Sequence, residues 1–507
     1  MCGILFISKN NYSKIQSFKA LETMNHRGPD NINYKIKNNN YFGHVRLSII
    51  DLNERSNQPF ESNGLLIIYN GEVYNYKELI KDHNLIVKTE SDTEVVLEMY
   101  RKYGSDALKY LNGMFSFVIH DIIHDTIFIA RDRLGIKPLY YRFEMHSLVV
   151  SSEIEPILTL KEDSFDEFGI RQYKKLRMTI KGYTIYKNIK QFPPGHFYDG
   201  KNLIRYWDLE IHEKASPTND LLNDLILDAV SIRTRSDVPV GSFLSGGLDS
   251  TILSYLLKPT HTWTVGFKNM NEFKWSELAN AGLNSNHCKV LINYNEFLEL
   301  GKKMIKKRKE PLSVPNEILI YKMTMAVKKE NTVVLSGEGA DELFWGYDRI
   351  FKWANKLNDK IDIKQFDQYY CYGSDKDEEV IDFALEGLPG KKPIDKIAYY
   401  FQIIHLQGLL RRLDNSTMLC SVEARVPFVD HRLVELMAGT PFDWRMGKSF
   451  KEPLKNIYSS LIPPEILQRE KIGFPVPLDN IFPLPTNKTG MDKWLMFNLK
   501  ELFKFKS

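Results

Sequence analysis

Ser245-Gly246-Gly247-Leu248-Asp249-Ser250 decides the fold. An apolar run over 238–244 reads as a buried strand before it, and a helical pattern over 250–257 follows it. Two glycines in that position let the backbone come close to a ligand, and the N–H groups of the loop and of the helix N-terminus favour an anion. Asp249 would repel a phosphate unless a divalent cation lies between them, so the loop implies a nucleotide phosphate held with Mg²⁺. A plain Gly-rich turn capped by Asp249 is the alternative reading. Other phosphate motifs fail: Gly447-Lys448-Ser449 would need a glycine where Phe442 stands, and Gly337-x-Gly339 is followed by Glu342 rather than a third glycine.

Working outward, a helix is predicted over 221–233, a strand over 262–267, a helix over 318–329 and a strand over 332–335. Alternation of strand and helix predicts an α/β doubly wound parallel sheet, and from about 350 on the pattern is mostly helical. Towards the N-terminus short strands are predicted over 4–8, 44–50, 65–69, 114–120, 127–131 and 148–151. A helix starts at the capping box Ser91-x-x-Glu94 and ends near Gly104, and a second runs through 106–111. Strands with helices inserted in blocks predict an α+β layered domain. The domains are therefore placed at 2–195 and 220–507, with a polar connector over 196–219.

The charge balance, 68 basic against 64 acidic residues for a net charge of +4, gives no reason to expect nucleic acid. No apolar run approaches the roughly 18 residues of a membrane span. The start lacks the basic region of a signal peptide, so the expected location is cytoplasmic, with no membrane partner. Six basic residues within 302–309 read as a solvated helix face, because Glu299 and Glu310 flank them. His120-x-x-x-His124 falls on a strand and turn, so no metal is assigned there. Asn38-Asn39-Asn40 reads as a loop tip. The four cysteines, Cys2, Cys288, Cys371 and Cys420, have no metal-ligand spacing. Removal of Met1 would give Cys2 a free α-amine beside its thiol, the makings of an N-terminal nucleophile.

Residues 245–250 resemble the loop of enzymes that adenylate a carboxylate and release pyrophosphate. Ser336-Gly337-Glu338-Gly339-Ala340-Asp341-Glu342-Leu343-Phe344, Ser421-Val422-Glu423-Ala424-Arg425-Val426-Pro427-Phe428-Val429-Asp430 and Lys471-Ile472-Gly473-Phe474 resemble further signatures of the glutamine-hydrolysing asparagine synthetase family. Cys2-Gly3-Ile4, His26-Arg27-Gly28-Pro29-Asp30, Arg46-Leu47-Ser48-Ile49, Asn70-Gly71-Glu72-Val73-Tyr74-Asn75 and Ser91-Asp92-Thr93-Glu94 resemble a class II glutamine amidotransferase domain. The resemblance runs along nearly the whole chain. It implies an N-terminal-nucleophile αββα sandwich acting as a glutaminase, then an ATP-pyrophosphatase domain.

By that resemblance Cys2 is the nucleophile, with Asn70 and Gly71 as the oxyanion hole. Arg46, Leu47, Ile49, Asn70, Gly71, Glu72 and Asp92 bind glutamine, Arg46 through its α-carboxylate and Glu72 and Asp92 through its ammonium. Leu244, Ser245, Gly246, Gly247, Asp249, Ser250, Val265, Ser336 and Gly337 hold ATP, and Asp249 and Asp341 carry Mg²⁺. Glu338 serves the acyl-adenylate and amine-transfer steps, and Lys471 stabilises the pentavalent phosphorus. ATP and Mg²⁺ are the implied cofactors and small molecules the implied partners, and a homodimer stays open. Blander readings stand beside these roles: Asn70-Gly71 as a hairpin turn, and Asp92, Glu338 and Asp341 as helix N-terminal charges.

The leading function is ATP-dependent amide synthesis with glutamine as nitrogen donor and aspartate as the family's usual acceptor. The same chemistry on a sugar, peptide or antibiotic carboxylate stays open, as does a catalytically silent module that binds glutamine and nucleotide. Trp345, Asn316, Cys420 and Cys288 depart from common family residues. Trp345 could reshape the acceptor pocket or simply pack its helix.

Overall fold

The computed structural model describes residues 2–145, 147–448, 450–469 and 476–504. Two antiparallel six-stranded sheets form the N-terminal part. The first runs Lys190–Gln191, Tyr140–Phe143, Leu148–Ser151, Gly3–Ile7, Asn40–Arg46, Asn31–Lys37; the second runs Leu203–Arg205, His196–Tyr198, Thr126–Arg131, Gly113–Asp121, Leu65–Val73, Phe60–Ser62. Alternation sets which side chains meet. Ile4 and Phe6 of the first sheet share a dry layer with Leu66, Ile68 and Val118 of the second. Leu5 and Ile7 face the other way, into the cluster that holds Ala20 and Leu21 of the helix Lys14–Glu22. Helix Asp92–Tyr103 packs on the outer face of the second sheet. The order helix, sheet, sheet, helix is the αββα sandwich that the resemblance implies.

Several local expectations change. The predicted connector holds His196–Tyr198 and Leu203–Arg205, which pair with each other and extend the second sheet beyond Thr126–Arg131, so the N-terminal fold continues past 195. Ser91 caps its helix by accepting from the Thr93 N–H, but no capping box closes, because the Glu94 carboxylate accepts from the N–H groups of Lys88 and Thr89. The stretch predicted helical over 106–111 is a 3₁₀ turn, Gly104–Lys109. Asn38 and Asn39 turn the hairpin at φ +48° and +60°, whereas Asn40 already belongs to the strand. The strand Asn31–Lys37 was missed, although Ile32, Tyr34 and Ile36 alternate with Asn and Lys along it; its polar face suits the sheet edge where it lies.

The C-terminal part carries the parallel sheet, in the order Asn286–Ile292, His261–Phe267, Val240–Phe243, Val333–Leu335, Glu423–Arg425. Val240–Phe243 is the first of these strands in the chain and lies between the second and the fourth, so the winding reverses beside it. Ligands of doubly wound sheets bind at the carboxyl end of the strands at such a reversal. The loops 245–250 and 336–339 leave neighbouring strands at that end. Helix Tyr294–Arg308 carries the basic run, which is only partly a solvated face. Lys307 reaches the N-terminal part, donating to the Thr23 carbonyl at 2.6 Å and lying 3.0 Å from Glu155, and buried Arg308 pairs with Glu317.

Candidate active sites

The first site is a cavity of about 30 Å³ lined by Cys2, Arg46, Leu47, Ile49, Gly71, Glu72 and Asp92 among others. Four separate N-terminal sequence motifs thus meet in one place. Asn70 is buried next to it, and its Oδ1 accepts the Cys2 N–H at 3.1 Å. Asn70 and Gly71 lie inside the strand Leu65–Val73, opposite Ser116 and Phe115, so the hairpin-turn reading fails. A Cβ on Gly71 would come within 2.3 Å of the Met114 carbonyl oxygen, and that close crossing requires glycine. Burial pushes the Cys2 thiol above its ordinary range, against the pull of the Leu47 N–H and of Arg46.

The carboxylates of this pocket are strained by burial. Asp92 accepts from the Tyr69 hydroxyl at 2.6 Å and the Val73 N–H at 2.9 Å, yet burial pushes it up to about 6. Glu72 is raised further, by burial and then by Asp92. An arriving ammonium group would relieve both, as the sequence roles require. Arg46 differs from expectation: its guanidinium donates to the carbonyls of Asn53 at 2.9 Å and Asp51 at 2.5 Å and to Asn57 Oδ1 at 2.7 Å. In this conformation the fork holds the 50–57 loop.

Three neighbours were missed. Glu423, from the edge strand of the parallel sheet, lines this N-terminal pocket. Burial would raise its carboxyl, but Arg425 outweighs that and holds it at about 2. Arg425 is itself 3.5 Å from Glu72. Arg27, quoted in a motif without a role, donates to the Cys2 carbonyl at 3.0 Å and lies 3.1 Å from Glu153 and 2.9 Å from Asp414. A buried arginine inside a recognised motif was the available signal.

The second site is a cavity of about 550 Å³ lined by Leu244, Ser245, Gly247, Asp249, Ser250, Ser336, Gly337, Glu338 and Asp341 among others. Gly246 has φ +74° and a Cβ there would lie 2.3 Å from the Trp275 carbonyl carbon, so only glycine fits. The serines knit the loop: the hydroxyls of Ser245 and Ser250 are 3.0 Å apart, and Ser245 Oγ accepts the Gly247 N–H at 3.2 Å. Gly246 and Val265 do not line the cavity; Thr264 supplies the wall beside Val265. The helix Ala340–Phe344 has Gly339 at its N-cap with no side-chain cap bond, so Glu338 caps nothing, whereas Asp341 stands in its first turn as the blander reading expects. Trp345 packs its helix: it is buried, stacked on Phe351 at 5.1 Å, with the Arg445 guanidinium over its ring at 4.6 Å. Asn316 does line the cavity, and Arg412 Nη1 is 3.5 Å from its Oδ1.

Lys451 and Arg412 are the missed residues here. Lys451 Nζ lies 2.5 Å from Asp249 Oδ2 and 2.5 Å from Asp341 Oδ1. Burial would lower that ammonium, but the two carboxylates outweigh it and raise it. Asp249 and Asp341 therefore converge on one cationic position, an all-oxygen donor pair of the kind a hard divalent cation takes. Arg412 Nη2 donates to Glu338 Oε1 at 2.8 Å. Lys471 lies outside the described residues. Arg469, two positions earlier, donates to the Gly246 carbonyl at 3.0 Å and lies over the Trp275 ring at 4.7 Å, so the segment meets the loop across more than 200 residues of chain.

Residues 1–207 match the family model of a glutamine amidotransferase domain, and residues 221–495 match that of asparagine synthase. Asparagine synthetase (glutamine-hydrolyzing) 3 of Bacillus subtilis (strain 168) is 29% identical over 558 residues, spanning 98% of this chain and 89% of that protein. Asparagine synthetase (glutamine-hydrolyzing) 1 of the same organism is 29% identical, spanning 94% and 85%. Amidase chry2 of Gibberella zeae is 26% identical, spanning 89% and 84%.

Proposed function

The chain belongs to the asparagine synthase family, and from that premise we propose that it converts L-aspartate, L-glutamine, ATP and water to L-asparagine, L-glutamate, AMP and pyrophosphate. It is a glutamine-hydrolysing ligase; the acceptor, the intermediates and the residue roles are our reading. The observation that carries it is the meeting of Glu338, Asp249, Asp341 and the 245–250 loop on one cavity, in a chain whose other pocket gathers Cys2, Glu72 and Asp92.

In the first half-reaction the Cys2 thiolate attacks the glutamine amide, with its own α-amine as base once Met1 is gone. The tetrahedral oxyanion is met by Asn70 Nδ2 and the Gly71 N–H. Ammonia leaves, and water cleaves the thioester to glutamate. In the second half-reaction the backbone of the 245–250 loop and of Ser336 and Gly337 holds the nucleotide while an aspartate oxygen attacks the α-phosphorus. Asp249 and Asp341 are the residues that would hold Mg²⁺, and the ion would supply charge to offset that of the leaving pyrophosphate. Lys471 meets the charge that develops at phosphorus. Ammonia then attacks the β-aspartyl adenylate and releases AMP, with Glu338 positioned for the proton.

The test is direct. Purified protein with ATP, Mg²⁺, glutamine and L-aspartate should form asparagine, glutamate, AMP and pyrophosphate in equal amounts, read by mass spectrometry. Glutamate without AMP across a range of carboxylates would reduce the chain to a glutaminase.

A further inference from the structure

Arg177 ends the helix Glu167–Leu176 in the left-handed conformation, at φ +66°. It belongs to the N-terminal part of the chain, yet it lines the large cavity that holds the 245–250 loop and Glu338. Its guanidinium lies 3.9 Å from the centroid of the Tyr372 ring and 5.6 Å from that of Tyr370. Its Nε is shut off from solvent without a hydrogen-bond partner, and the side chain makes no hydrogen bond or ion pair with any described residue. Nearby cations are engaged: Arg412 with Glu338, Arg469 with Glu272, Lys451 with Asp249 and Asp341. A stacked guanidinium has its face covered and its edge free, which suits a planar oxyanion bound by two parallel bonds.

The position separates two candidate anions. A side chamber of about 140 Å³ opens beside the cavity and shares Arg177, Val314, Tyr347, Tyr372 and Arg412 with it. No residue of the 245–250 loop lines that chamber. Arg177 thus lines both the large cavity and this chamber, whose walls include neither the phosphate loop nor Glu338.

We propose that Arg177 is a specificity-determining residue of the synthetase cavity, binding a second carboxylate on the acceptor, distal to the one that is adenylated. The inference rests on the reading above, amide formation on a carboxylate in this cavity, and sharpens it: the N-terminal part of the chain supplies the residue that selects a dicarboxylate acceptor.

The full chain is assayed for AMP release with Mg²⁺-ATP and ammonium chloride. The acceptors are L-aspartate, L-glutamate and succinate, each beside the analogue lacking one carboxylate: β-alanine, 4-aminobutyrate and propionate. Wild type should release AMP with a dicarboxylate and far more slowly with its analogue. Arg177→Met should raise KM for that dicarboxylate about 10²-fold, the weight of a charged bidentate pair. It should erase the preference over the analogue and leave KM for ATP and glutamine hydrolysis unchanged. Arg177→Lys, which keeps the charge and loses the fork, should fall between, and it serves in place of the methionine variant should that one lose glutaminase activity through misfolding. A defect in KM for ATP would make the ligand a phosphate and overturn the proposal, as would an unchanged preference in either variant. Wild type that uses only monocarboxylates overturns it while amide synthesis stands. No AMP with any of the six acceptors would remove the proposed function itself, and the inference with it.

Discussion

The pocket around Cys2 and the cavity around the 245–250 loop treat charge in opposite ways. The first encloses about 30 Å³ and sets Glu72, Asp92, Glu423 and Arg425 in a buried cluster, where burial and neighbouring carboxylates raise Glu72 and Asp92 while Arg425 holds Glu423 down. The second encloses about 550 Å³, and its charges meet as pairs at its wall, Lys451 with two aspartates and Arg412 with Glu338. A tight buried cluster suits one small zwitterion whose ammonium completes the charge balance. A wide cavity with paired walls suits a nucleotide and a second substrate together. Each site also takes a residue from the other part of the chain, Glu423 in the small pocket and Arg177 in the large one.

The contrast breaks most sharply at the nucleophile. Cys2→Ala should lower glutamine hydrolysis by roughly 10⁴-fold or more and leave ammonia-dependent AMP release intact; loss of both in a folded protein would mean that the sites do not divide the labour. Next in size, Asp249→Asn and Asp341→Asn should each cut pyrophosphate release by about 10³-fold with glutaminase untouched. Normal pyrophosphate release from either variant would sink the shared-cation reading of the pair. Asn70→Ala should reduce kcat for glutamine by roughly 10²–10³-fold, measured as glutamate formed; an effect confined to KM would move Asn70 from oxyanion stabilisation to substrate binding.

The smallest effect sharpens the electrostatic half of the comparison. Asp92 is pushed up to about 6, chiefly by burial. Above that pH it is ionised and attracts the glutamine ammonium; as pH falls through 6 it takes a proton and the attraction is lost. KM for glutamine should therefore rise several-fold between pH 7.5 and 5.5, and Asp92→Asn should flatten the profile at a uniformly high KM. A profile of unchanged shape in that variant would assign the titration to another group.

The sequence made the second site's scaffold legible because the change of period around 245–250 places a strand, a glycine turn and a helix in fixed order. It identified Asn70 and Gly71 but left their local structure open, since Asn-Gly reads equally as a turn. The decision lies with Met114 and Phe115, some 44 residues further on, whose strand runs alongside. Lys451 stands in no motif: it meets Asp249 across 202 residues, and only the folded sheet brings them together. The strand Glu423–Arg425 escaped notice because three residues, two of them charged, carry no apolar alternation. Arg46 lines the pocket, but the loop that occupies its fork could not be read from residue types alone.

The seam between the two parts has a consequence for recombination. Ser421 Oγ donates to the His26 carbonyl at 2.6 Å, Arg27 pairs with Asp414 at 2.9 Å, and Asn112 reaches Asp430 at 3.3 Å. These contacts make the front of the chain and the 414–430 stretch a single inherited unit, although about 400 residues separate their ends. A chimera that takes its first 205 residues from one relative and the remainder from another would pass the polar connector without damage and still carry mismatched walls in both pockets. Exchange of the front together with 414–430 keeps the parental walls, so functional crossovers in this family should cluster outside that pair of segments.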